Sequence, residues 1–228
     1  MFLSPVIGLL VALSFIVMNE LLTPLAPDRI FVALEGILSF SGDLRRRHFR
    51  PLPLDPNVLA KHKQLSGYSC IPMSVEFVLK LLGKLSPDDF HLQDAWGDRK
   101  DGSFSDFDGW SFDNVKFTRR FIQARDDGFP LDDLFSAVEN ELESGRYVIV
   151  SLAVPSLTNP GETDYHNYVI WNRLRDGEFE AITQRPNTER INDVKERVRN
   201  MKGTDILTYE ITPRPGAIKV RPNSNQLC

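Results

Sequence analysis

Cysteine is scarce. Cys70 and Cys228 are the two in 228 residues, too few for a disulfide framework or, by themselves, a structural zinc site. A sequence-wide basic excess is also missing: 27 Lys and Arg face 31 Asp and Glu, for a net charge of −4. Nucleic acid is therefore not an expected partner. Low-complexity tracts are absent, as are repeats of about 20 to 50 residues. What is present is ordinary, with 42% hydrophobic and 25% charged residues, values that exclude collagen-like and wholly disordered chains. The length suits one domain with an appendage.

Charge is missing altogether from Met1 to Asn19. Phe2 to Met18 (FLSPVIGLLVALSFIVM) is almost continuously apolar, near the about 20 residues that a membrane span needs. No Lys or Arg precedes it, and no small-x-small site follows before Glu20 and Pro24. Those flanks favour an uncleaved membrane anchor over a cleaved signal peptide; the alternative is a buried helix packed on Ile30 to Leu38. The expected location is membrane-anchored or exported, of a bacterial type, with orientation open because Arg45, Arg46, Arg47 and Arg50 lie far past the apolar run. The expected organisation is an apolar segment over 1–27, a connector over 28–53 rich in charge and proline, a folded domain over 54–222 and a tail over 223–228. Cys228, the last residue, lacks the following residues of a prenylation box and is expected to be a free tail thiol.

Within the domain, Met73, Val75, Val78, Leu79 and Leu82 keep a helical stripe after Pro72, with Gly83 placed to close the helix. From Pro87 to Asp113 eight aspartates alternate with Phe90, Trp96, Phe104, Phe107, Trp110 and Phe112. DRKDGSFSDFDG does not supply the ligand positions of a calcium loop, so no metal or cofactor is expected. This segment reads as an aromatic-anchored loop, a candidate groove wall that would favour Lys- or Arg-bearing substrates. Leu131 to Gly145 has a second helical pattern, and Tyr147–Val154, Asn167–Leu174, Glu178–Thr183 and Ile206–Ile211 read as strands. Glu189–Met201 reads as a polar helix. Helices first and strands later predict an α+β fold, an antiparallel sheet packed on a helical half.

A thiol becomes a nucleophile when deprotonated, and a helix N-terminus favours the thiolate. Cys70 stands at such a start, two residues before Pro72. It also needs a histidine partner. His48 and His62 lie in the charged, proline-rich stretch that precedes the domain core and His91 in the acidic loop, whereas His166 opens a predicted strand. Gln64, six residues before Cys70 across LSGYS, is placed to offer an amide donor to a developing oxyanion. Taken singly, each signal is weak, and an isolated cysteine is usually a buried inert one.

Together they form a sharper pattern. QLSGYSCIPMSVEFVLKLLG resembles the active-site helix of papain-like cysteine peptidases, above all the bacteriocin-processing, double-glycine-leader peptidase family (peptidase C39-like). In that family the pattern is Gln, five residues, Cys, often Gly-Pro-Ala-Ser, then an apolar helix ending in Leu-Gly; Pro72 and Ser74 match and Ile71 replaces the glycine. LESGRYVIVSLAV and YHNYVIWNRLRDGEFEAIT resemble its helix-Gly-strand and His-strand-turn-strand units, so the likeness spans about 63–186. It implies a papain-like fold, helical half carrying the Cys and antiparallel sheet carrying the His. It implies a thiol hydrolase that cleaves a peptide or amide bond through an acyl-enzyme on Cys70, with His166 as base and acid and Gln64 at the oxyanion. An amidase or acyl transferase would use the same residues. The family's Asp-Pro is replaced by Gln184-Arg185-Pro186-Asn187, so Gln184, with Asn187 as alternative, is the expected residue behind the imidazole. The second reading is a catalytically silent, membrane-tethered papain-like module that binds peptide through the aromatic loop; a third is an unrelated α+β domain. The implied partner is a peptide or protein.

Overall fold

The computed structural model describes residues 50–213 except 157, 158, 160 and 186. The apolar N-terminal segment, most of the expected connector and Cys228 lie outside those residues. Among the described residues no helix is long and apolar enough to cross a membrane.

The described domain is α+β. Five helices, α1 (Pro56–Lys61), α2 (Cys70–Leu81), α3 (His91–Trp96), α4 (Leu131–Glu143) and α5 (Val194–Asn200), accompany a 3-10 turn at Phe104–Phe107. The strands are β1 (Ser111–Phe112), β2 (Val115–Arg120), β3 (Val148–Pro155), β4 (Thr163–Arg173), β5 (Phe179–Arg185), β6 (Asn187–Ile191) and β7 (Ile206–Ile211). They form one seven-stranded sheet in the order β1-β2-β7-β3-β4-β5-β6, antiparallel at every pairing.

Helix α2 is buried from Ile71 to Lys80. Pro72 sits in its first turn, where the missing N–H costs nothing. Gly83 takes φ +66, and Lys84 N–H reaches back to Leu79 O, closing the helix as its sequence predicted. The sheet is covered on both faces. Phe179 of β5 meets Phe135 of α4 with ring centroids 6.2 Å apart, and Lys195 of α5 lies 4.4 Å over the same ring. Helices α4 and α5 thus cover the Phe179 face, while α2 reaches the other face of β4 through Cys70.

Three segments differ from their sequence reading. Glu189–Ile191 is not helical: β6 pairs with β5 from Asn187 to Ile191, and only Val194–Asn200 winds into helix. The strand supplies backbone partners that a short polar helix would lack. Strand β2, embedded in a charged stretch, is not among the expected strands, although Val115 and Phe117 alternate with Lys116 and Thr118 and are the buried pair; six-residue pairing with β7, far along the chain, holds it in the sheet. Finally, part of the proline-rich stretch read as connector belongs to the domain. Leu52 N–H donates to Trp171 O, and the Tyr147 hydroxyl bonds Pro53 O.

Candidate functional site

The N-terminus of α2 holds Cys70 against β4. Its Sγ accepts a hydrogen bond from Asn167 Nδ2 at 3.3 Å. Burial pushes the Cys70 thiol up, opposed by the backbone N–H groups of Cys70, Ile71 and Asn167 and by the Arg185 charge. The thiol is therefore protonated at neutral pH.

The expected pairing of Cys70 with His166 is not what the structure contains. Successive side chains of a strand point to opposite faces, so with Asn167 turned to α2, His166 turns to the α4 and α5 face. Its ring packs edge-on against Tyr168, two residues along, at 5.4 Å. Its Nε2 shares a hydrogen bond of 2.9 Å with Thr183 Oγ1, and Thr183 lies on the same side of β5 as Phe179. Burial first, then the positive charge of Arg185, holds His166 down to about 3. That imidazole is neutral, with a hydroxyl where a triad would have a carboxylate or amide.

Gln184 and Asn187 do not stand behind the imidazole. Gln184 lies on the opposite face of β5 from Thr183, buried, its Oε1 accepting from Thr188 Oγ1 at 3.0 Å and its Nε2 without a partner. Asn187 is exposed at the first position of β6, paired with Arg185. Gln64 does come to the site: its N–H donates to Gln184 O at 3.0 Å, so the turn before Cys70 is bonded to the strand beside Asn167. Its Nε2 donates to Ser66 O at 2.6 Å, leaving its buried Oε1 unpaired. In this arrangement the amide donor is engaged by its own turn. The structure thus gathers Gln64, Cys70 and Gln184 on one face with Asn167, and sets His166 with Thr183 on the other.

A buried polar network fixes the Gln64–Ser69 turn. Glu76 of α2 accepts from the Leu92 and Gln93 N–H groups at 2.7 and 3.0 Å and from Gln93 Nε2 at 2.8 Å. Gln93 Oε1 in turn accepts from Leu65 N–H and Ser69 Oγ, both at 2.9 Å. Beside it His62, expected in the proline-rich stretch before the core, is stacked between Phe77 and Phe90. Lys80 Nζ must donate to its Nδ1 at 2.9 Å, so Nε2 carries the proton given to Met73 O at 2.9 Å. Burial and the Lys80 charge hold His62 down to about 3.

A cavity of about 1160 Å³ opens on Cys70. Its walls are the Gln64–Tyr68 turn, Lys100 and Gly102–Phe104 of the aromatic loop, Arg119, Arg125, Ser151, Asp164–Asn167, Arg185 and Asp205. The loop does form a wall, but none of its eight aspartates lines the cavity. Asp88 pairs with Lys61, Asp113 with Lys84, and Asp101 and Asp106 with Arg99; Asp108 accepts the Arg119 N–H. The expected preference for basic substrates thus loses its basis.

Sequence reasoning passed over Asn167, Thr183, Lys100 and Gln93. The alternation of β4 was the available signal: His166 and Asn167 are adjacent, and only one of two neighbours on a strand faces a given helix.

No family model, curated protein or solved structure matches the chain.

Proposed function

We propose that this domain is a papain-like scaffold with silent hydrolytic chemistry, whose cleft binds peptide, and that Phe2–Met18 tethers it to a membrane. The observation that carries the reading is the partner of the thiol: the side chain hydrogen-bonded to Cys70 is Asn167. Thiol hydrolysis of an amide needs a group that takes the thiol proton and returns it to the leaving amine. A carboxamide donates a hydrogen bond but does not shuttle a proton. The burial that keeps the thiol protonated and the engagement of His166 by Thr183 support the same reading.

A specific observation favours the thiol-hydrolase reading, or an amidase or acyl transferase on the same scaffold: Cys70 and His166 line one cavity. The two separate by experiment. Turnover of a fluorogenic peptide library and labelling by iodoacetamide are compared in wild type, Cys70→Ala, His166→Ala and Asn167→His. A silent module gives no turnover, slow labelling unchanged by His166→Ala, and faster labelling at neutral pH in Asn167→His. Turnover by wild type that disappears in both Cys70→Ala and His166→Ala would replace this reading with the hydrolase.

A further inference from the structure

The cavity beside Cys70 carries a charge opposite to that of the protein. Four cations, Lys100, Arg119, Arg125 and Arg185, face two carboxylates, Asp164 and Asp205, in its lining, leaving it two positive on a chain of net charge −4. The carboxylates do not cancel the surplus where it matters. Asp205 alone serves both Arg119, at 2.7 Å, and Arg125, at 3.7 Å. Arg185 and Lys100 have no ion-pair partner among the described residues, and Arg185 is close enough to bias both Cys70 and His166.

The rim is apolar as well as cationic. Leu65, Tyr68 and Tyr165 are 43, 45 and 57% exposed, and all three border the cavity. Lys100 Nζ lies 4.9 Å from the ring centroid of Tyr68, and Arg125 Cζ lies 4.9 Å from that of Tyr165. Each rim thus presents a flat ring with a cation stacked upon it, a surface that accepts an apolar side chain next to a carboxylate. The volume exceeds the roughly 300–1,000 Å³ of a small-molecule pocket and suits an extended segment.

From these observations we infer that the cleft selects an acidic peptide segment, with Arg185 and Lys100 receiving carboxylates and Tyr68 and Tyr165 receiving the apolar side chains between them. The inference rests on the peptide-binding reading above and adds the chemical class of the ligand. The chain's own C-terminal stretch is a poor occupant by charge, since Arg214, Lys219 and Arg221 are its only charged side chains.

Fluorescence anisotropy of the full chain in mild detergent tests it with a dye-labelled heptapeptide of alternating Glu and Leu, its Gln-for-Glu and Lys-for-Glu counterparts, and a ten-nucleotide oligothymidine. The acidic peptide is expected to bind about tenfold tighter than the Gln peptide at low salt, with the gap shrinking as salt is raised. Arg185→Gln and Lys100→Gln each weaken the acidic peptide about threefold and leave the Gln peptide unchanged. Asp164→Asn acts in the opposite sense and tightens the acidic peptide, a reversal that a loss of structure would not give. Should Arg185→Gln unfold, the exposed Lys100 and Asp164 variants decide alone. Equal binding of the three peptides, or tightest binding of the Lys peptide, overturns the inference while leaving peptide binding intact. Absence of binding by any peptide overturns both. Tighter binding of the oligonucleotide than of the acidic peptide overturns it in favour of nucleic acid.

Discussion

Cys70 and its neighbours show how one step along a strand decides chemistry. Its place at the start of α2 was legible from Pro72, the apolar stripe and Gly83, because helix punctuation is local. Which of His166 and Asn167 faces it was not, because that depends on how β4 is turned, and the turning is set by the whole buried face of the sheet. With the thiol raised by burial, its labelling by iodoacetamide should rise only at a pH above that of an unstructured cysteine peptide, since reactivity follows the thiolate fraction. The Arg185 charge works against that rise, so Arg185→Gln should move the labelling profile to still higher pH. A profile that moves to lower pH would show that another group sets the thiol's ionisation.

At the scale of elements, the Gln64–Ser69 turn is held by a contact that no local pattern announces. Gln93 of α3 bonds Leu65 N–H, Ser69 Oγ, Lys63 O and Glu76. Its removal strands several buried polar groups at once. Gln93→Ala is expected to cost roughly 2–4 kcal/mol, read as a lower urea midpoint with an unchanged m-value. The loop leaving α5 has a different constraint. Gly203 takes φ +119, and a Cβ there would stand 2.3 Å from the Phe129 ring. Gly203→Ala should therefore lower the thermal midpoint by an amount equivalent to about 1–3 kcal/mol, and a midpoint equal to wild type would show that Phe129 moves freely. The helix–strand exchange at Glu189–Ile191 belongs here too. A polar segment with helical spacing carries little information when neighbouring backbone donors and acceptors are waiting to be paired.

For the whole molecule, the buried imidazoles couple folding to acidity. His62 and His166 fall from 6.5 to about 3 on folding. Between those values the unfolded chain binds protons that the folded chain refuses, so stability is fullest above pH 6.5 and is lost as pH falls toward 3. Every tenfold loss of proton affinity corresponds to about 1.4 kcal/mol per group, against a typical domain stability of roughly 5–15 kcal/mol. The thermal midpoint should decline from pH 6.5 to 4.5, before most carboxylates titrate, and His166→Asn should make that decline shallower. A midpoint constant over that interval would mean that both rings are accessible to protons in the folded state.

Local chain chemistry was sufficient for the α+β class, the buried helix that begins at Cys70, the four contiguous strands β7, β3, β4 and β5 and the proximity of Gln64 to that cysteine. These follow from periodicity, punctuation and short chain separation. Assembly of the sheet settled the rest: that β2 joins β7, that the aspartates of the aromatic loop turn away from the cavity, and that an amide rather than an imidazole meets the thiol. Each of those outcomes depends on which groups far apart in the chain are buried together, and burial is a property of the assembled sheet and its covering helices.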